Sequence, residues 1–106
     1  MKNPVHPGEL VKENLSELGL TTALAAKGLG VTRQQLHKVI SGRSAVTPEM
    51  ALRFEKAFGG SADMWMRMQA AYDLAQARRN ESAINVTRLR PVEAPPAGTS
   101  ADQGNR

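Results

Sequence analysis

The chain has 106 residues, enough for one small domain and too few for two. Fourteen lysines and arginines against ten acids leave a net charge of +4, a mild pull towards an anionic partner. Cysteine is absent and the only histidines are His6 and His37. That excludes a disulfide framework, a cysteine-ligated zinc or cluster, a thiol nucleophile and a polyhistidine metal site. Aromatic residues are 4% of the chain, too few for a platform that stacks single-stranded bases. No apolar run approaches the ~20 residues of a membrane span, and Met1-Lys2-Asn3-Pro4 is no signal peptide. The expectation is a soluble cytoplasmic protein without cofactor or metal.

Helical signals follow one another along residues 1–80. The first helix should start near Pro7-Gly8, where a proline loses nothing by lacking its N–H. Leu10, Val11, Leu15 and Leu18 form its apolar face, and Gly19 ends it. Thr21 caps a second helix from Thr22 to Leu29, closed by Gly30. Thr32 caps a third, Arg33 to Ile40, with Leu36, Val39 and Ile40 inward and Ser41-Gly42 as the exit. Thr47-Pro48-Glu49 is the clearest start: a cap, a proline at the first position, an acid in the first turn. In that fourth helix Ala51, Phe54 and Phe58 face the core, and Gly59-Gly60 ends it. Ser61 caps a long fifth helix from Ala62 to about Arg79. Residues 81–90 then read as a short strand or a linker, since Ile84 to Leu89 is β-prone and partly alternating. Residues 91–106 carry Pro91, Pro95, Pro96, Gly98 and Gly104 and little that is apolar, the composition of a disordered tail.

The stretch from Thr21 to Gly42 carries the chemistry. A small Ala26 lets one helix cross closely over the next. Gly30 allows the sharp turn, and Leu36 fills the space between the helices with Val31 and Val39 beside it. This is the helix-turn-helix pattern, whose second helix enters a major groove. With Leu36, Val39 and Ile40 turned inward, Thr32, Arg33, Gln34, His37, Lys38 and Ser41 are left outward. Arginine and lysine can donate to guanine O6 and N7, and glutamine can pair with adenine N6 and N7. Between Glu17 and Glu49 the chain has no acid at all, while Lys27, Arg33, Lys38 and Arg43 fall inside that window. The positive charge is therefore concentrated where double-stranded DNA would lie. Thr22, Lys27 and Arg43 join the reading helix as expected DNA contacts. Lys27 and Arg43 are assigned to the phosphate backbone.

A helix-turn-helix with two further helices resembles the phage-repressor (XRE) class. The flanking blocks resemble the HigA antitoxins of HigBA toxin–antitoxin pairs. They are His6-Pro7-Gly8-Glu9-Leu10, then Val46-Thr47-Pro48 followed by Ala51-Leu52-Arg53. The last is Trp65-Met66-Arg67-Met68-Gln69, followed by Tyr72-Asp73-Leu74. The resemblance covers about residues 5–78. Gly28 departs from it, standing where the pattern has a charged or larger residue, and should loosen the end of the second helix. The resemblance implies an all-α, five-helix domain and a dimeric repressor of its own operon. It also implies a protein that binds and blocks HigB, a small RelE-like ribonuclease that cuts mRNA at the ribosome. The alternative is a stand-alone phage or plasmid repressor with no toxin. An enzyme is not expected, because no paired carboxylates, phosphate loop or ligand cluster are present, and no catalytic residue is assigned.

Two further surfaces follow from the residues. On the fifth helix Trp65, Met68, Tyr72 and Ala75, with Met64 and Ala71, form one apolar face. Met66, Ala70, Leu74 and Ala77 form a second, which fits packing against another copy of the chain. Glu9, Glu13 and Glu17, four apart on the first helix, read as a solvated face or as an acidic strip towards a basic toxin.

Overall fold

The computed structural model describes residues 3–92, and the regular structure within them is helical. Five α-helices run in order: α1 Gly8–Leu18, α2 Thr22–Leu29, α3 Arg33–Ile40, α4 Pro48–Phe58 and α5 Ala62–Arg78. A 3₁₀ turn, Glu81–Ala83, follows α5. The chosen starts have a local cause. Thr21, Thr32, Thr47 and Ser61 each accept, through the side-chain oxygen, a backbone N–H three residues on, at 3.1, 3.0, 3.2 and 3.1 Å. Such caps contribute roughly 1 kcal/mol each by meeting donors the helix leaves free.

One core joins the helices. Val11 and Leu15 meet Ala25, Ala26 and Leu29 of α2, Leu36 and Val39 of α3, and Met50, Ala51 and Phe54 of α4. Val46 and Trp65 complete it, and the Phe54 and Trp65 rings sit 4.7 Å apart between centroids. Phe58 and Ile40 pack against this core from its edge.

Three expectations need correction. Leu18 is 59% exposed: it is the last residue of α1, and the buried part of that stripe ends at Leu15. On α5 the buried seam passes through Trp65 and Gln69, and Ala71 points to solvent. The glutamine is tolerated inside because both ends of its amide are used. Its Oε1 accepts the Val46 N–H at 2.7 Å and its Nε2 donates to Asp73 Oδ1 at 2.9 Å. The strand reading of Ile84–Leu89 does not hold among the described residues. The segment forms no regular structure and has no neighbouring strand, and Ile84, Val86 and Leu89 stand exposed. β-propensity without a partner for the backbone does not make a sheet. Most of the tail, from residue 93 on, lies outside the described residues. Gly28 does not interrupt α2, which continues to Leu29. Among the described residues no helix is long and apolar enough to cross a membrane.

Candidate nucleic-acid interface

The α2–α3 turn sets the interface. Gly30 ends α2 at φ 74°, a left-handed conformation that side chains disfavour. The Val31 N–H then returns to the Ala26 carbonyl at 3.0 Å. Ala26 is almost fully buried, as a close helix crossing requires. Arg53 of α4 holds the turn from outside. Its Nη1 donates to the Leu29 carbonyl at 2.8 Å, and its Nη2 donates to Glu49 Oε2 at 2.7 Å. On the far side of the turn α3 opens with a reciprocal cap. Thr32 Oγ1 accepts the Gln35 N–H at 3.0 Å, and Gln35 Oε1 accepts the Thr32 N–H at 2.8 Å. The first turn of α3 is thus fixed at both of its ends.

With Leu36 and Val39 buried, Thr32, Arg33, Gln34, His37, Lys38, Ser41 and Arg43 are all exposed. Five of them, Arg33, Gln34, His37, Lys38 and Arg43, line one open cleft of about 340 Å³. No carboxylate lines it. A second groove, about 600 Å³, runs between α1, the start of α2 and the end of α3. Thr22, His37 and Ser41 line it with Lys12 and Glu9. His37 therefore belongs to both clefts. Lys27 lies exposed on α2 and borders neither. The Thr32 side-chain oxygen is engaged in the cap. The Ser41 hydroxyl donates to the Lys38 carbonyl at 3.2 Å, leaving its oxygen free to accept. Among the described residues the ion pairs are Arg53–Glu49 and Arg78–Glu81. Lys27, Arg33, Lys38 and Arg43 therefore have no carboxylate partner to displace before meeting phosphate or a base edge.

The other nominated surfaces are less unified. Ala70, Leu74 and Ala77 are exposed on α5, whereas Met66 is half-buried and packs against the core. Met66 also lines a mainly apolar groove of about 460 Å³ with Pro48, Leu52, Ala62, Asp63 and Arg67. Glu9, Glu13 and Glu17 are exposed along α1. Glu9 borders the groove that holds Thr22, His37 and Ser41, so this strip begins beside the cationic face. Sequence reasoning missed Gln35 and Arg53. The Thr-x-x-Gln spacing was a readable signal for the first. Nothing near Arg53 in the chain announces carbonyl partners on α2. The described residues hold no group of three His, Asp or Glu side chains arranged for a metal ion.

Residues 11–65 match the helix-turn-helix family, just over half of the chain. The chain belongs to the helix-turn-helix family. This helix-turn-helix protein is 46% identical over 77 residues to virulence-associated protein A' of Dichelobacter nodosus, covering 72% of this chain and 67% of that one. It is 32% identical over 78 residues to antitoxin HigA-1 of Vibrio cholerae, 73% of each chain. The solved structure of the Pseudomonas aeruginosa antitoxin HigA with the higBA promoter superposes with a TM-score of 0.71 at 32% identity. That match covers 76% of this helix-turn-helix protein and 89% of the HigA chain. The resemblance to HigA antitoxins, the all-helical fold and the XRE-type domain are thus shown together.

Proposed function

We propose that this protein is an antitoxin that represses its own operon. A dimer lays one α3 in each half of a palindromic operator, and a second surface binds and neutralises a HigB-type ribonuclease. The observation that carries the reading is the cleft of Arg33, Gln34, His37, Lys38 and Arg43. It presents four kinds of base- or phosphate-directed donor on one exposed, acid-free helix face. The solved structure of the HigA relative with the higBA promoter supports the same use of the fold. Arg33 and Gln34 read base edges, with His37 and Lys38 next along the helix. Thr22, Lys27, Ser41 and Arg43 contact phosphates, and the backbone N–H groups of Arg33 and Gln34, which the Thr32–Gln35 cap leaves free, orient the helix.

Ala70, Leu74 and Ala77 form the dimer contact, with Met66 at its inner edge. Leu74 is 53% exposed, a large apolar side chain whose burial by a second copy is favourable. Glu9, Glu13 and Glu17 face the basic toxin. Ile84, Val86 and Leu89 supply a further apolar segment for a partner's sheet edge or a second copy. The protein acts by binding and catalyses nothing itself.

The test is footprinting of the DNA upstream of its own gene, with co-purification of the product of the adjacent reading frame. A protected palindrome and a small basic ribonuclease held in the complex are expected. Protection without a toxin would leave a stand-alone repressor. No protection would overturn the DNA-reading role.

A further inference from the structure

His6-Pro7-Gly8 leads into α1, with Gly8 as its first helical residue, and lies outside the cleft assigned to DNA, yet all three residues are buried. Gly8 lies directly on the end of α3. A Cβ there would fall 2.0 Å from the Val39 carbonyl oxygen and 3.0 Å from that of Ile40. Only a bare backbone fits against those two carbonyls. His6 holds this approach in place, since its Nδ1 accepts the Gly8 N–H at 2.9 Å. That bond substitutes for the hydroxyl cap that the other four helices have, because α1 begins after a proline with no side-chain cap.

The imidazole does two more things. Its ring atoms lie 3.7–3.9 Å from where a Cβ of Gly42 would stand, so it packs on the residue that leads the chain out of α3. Its other contact is with Tyr72 of α5, edge to face, at 5.0 Å between centroids and 78° between planes. His6 as a whole is 8% exposed. One buried side chain therefore touches the start of α1, the exit of α3 and the middle of α5.

We propose that His6 is a positioning residue that locks the end of the reading helix α3 to α5 through Tyr72. In a dimer joined through α5 it thereby fixes the distance between the two reading helices. This rests on the dimeric operator reading given above. Because α5 carries Ala70, Leu74 and Ala77, a lock between α5 and α3 transmits the dimer's geometry to the two half-sites. One base pair of spacing corresponds to roughly 3.4 Å and 34° of duplex. A protein in which α3 can shift against α5 accepts neighbouring spacings that a locked one rejects.

The experiment is selection of bound sites from a random duplex library by the purified full chain. Wild type is compared with His6→Ala, His6→Asn and Tyr72→Leu. Unfolded protein binds nothing specifically, so loss of stability alone lowers yield without changing the spacing among the sites recovered. Wild type should return two half-sites at one spacing. All three variants should return the same half-site sequence, with spacings one base pair longer or shorter enriched about two- to tenfold. That range is what an aromatic edge contact contributes. His6→Asn belongs in the set because its Oδ1 can still accept the Gly8 N–H while the ring contact is lost. It also serves if His6→Ala fails to fold. Variants that keep the wild-type spacing overturn the proposal alone. A wild-type protein that selects single half-sites, or is indifferent to spacing, overturns the dimeric reading and this proposal with it.

Discussion

Replacing Gly28 with alanine should stabilise the protein, and the same change at Gly30 should weaken it. Gly28 is helical and exposed within α2, and a Cβ there would meet nothing within 4 Å. The change then acts mainly by reducing the freedom of the unfolded chain and should add about 0.5–1 kcal/mol. Gly30, two residues on, has φ 74°. An alanine in that conformation costs about 1–2 kcal/mol. Its Cβ would also stand 2.9 Å from Arg53 Nη1, so the guanidinium must retreat from the Leu29 carbonyl it now bonds at 2.8 Å. Arg53 is a flexible, half-exposed side chain, so that loss adds only about 1 kcal/mol. The sum for Gly30→Ala is about 2–3 kcal/mol. In a domain of this size each kcal/mol moves the melting temperature by about 4–8 °C. Gly28→Ala should raise it by a few degrees, and Gly30→Ala should lower it by about 10 °C or more. Thermal and urea unfolding at one protein concentration measures both, since the proposed self-association would make the midpoint depend on concentration. Shifts of the same sign in the two variants would refute the reasoning. A neutral Gly30→Ala would show that the turn does not need its left-handed residue.

Gln69→Leu keeps the volume but leaves the buried Val46 N–H without its acceptor, and should cost about 1–3 kcal/mol in urea unfolding. Lys27→Ala and Arg43→Ala should each weaken binding to all sequences alike. Each should flatten the log–log salt dependence by about 0.9, read by titration of one duplex at several salt concentrations. Leu74→Glu puts a charge into the proposed α5 contact. Sedimentation should then report a monomer at concentrations where the wild type is a dimer, with melting of the monomer nearly unchanged.

Helix ends were legible in the residues because their causes are local. Thr21, Thr32, Thr47 and Ser61 reach only three residues along the chain. The outward face of α3 was legible for a similar reason, since burying Leu36 and Val39 leaves its remaining residues no other side. The α5 seam was not. Gln69 stands in neither apolar face of that helix, and its burial becomes favourable only because Val46, 23 residues earlier, supplies an N–H to its amide oxygen. Arg53 is the same case, with its carbonyl partner 24 residues away. His6-Pro7-Gly8 was recognisable as a block, but its work lies in contacts to Val39, Gly42 and Tyr72 that only the packed structure brings together. Ile84–Leu89 failed in the other direction. Its local preference is for a strand, and no neighbouring strand is present among the described residues.

The central claim is that the exposed face of α3 reads base edges. It is tested most directly by the ratio of Kd values for a scrambled duplex and for the footprinted operator, at about 0.15 M salt. Wild type is compared with the double variant Arg33→Ala, Gln34→Ala. The wild-type ratio should be about 10³ or more, and the double variant should lose at least tenfold of it while keeping its binding to scrambled DNA within a few fold. A ratio near one for the wild type, or one that survives removal of both side chains, would contradict the account.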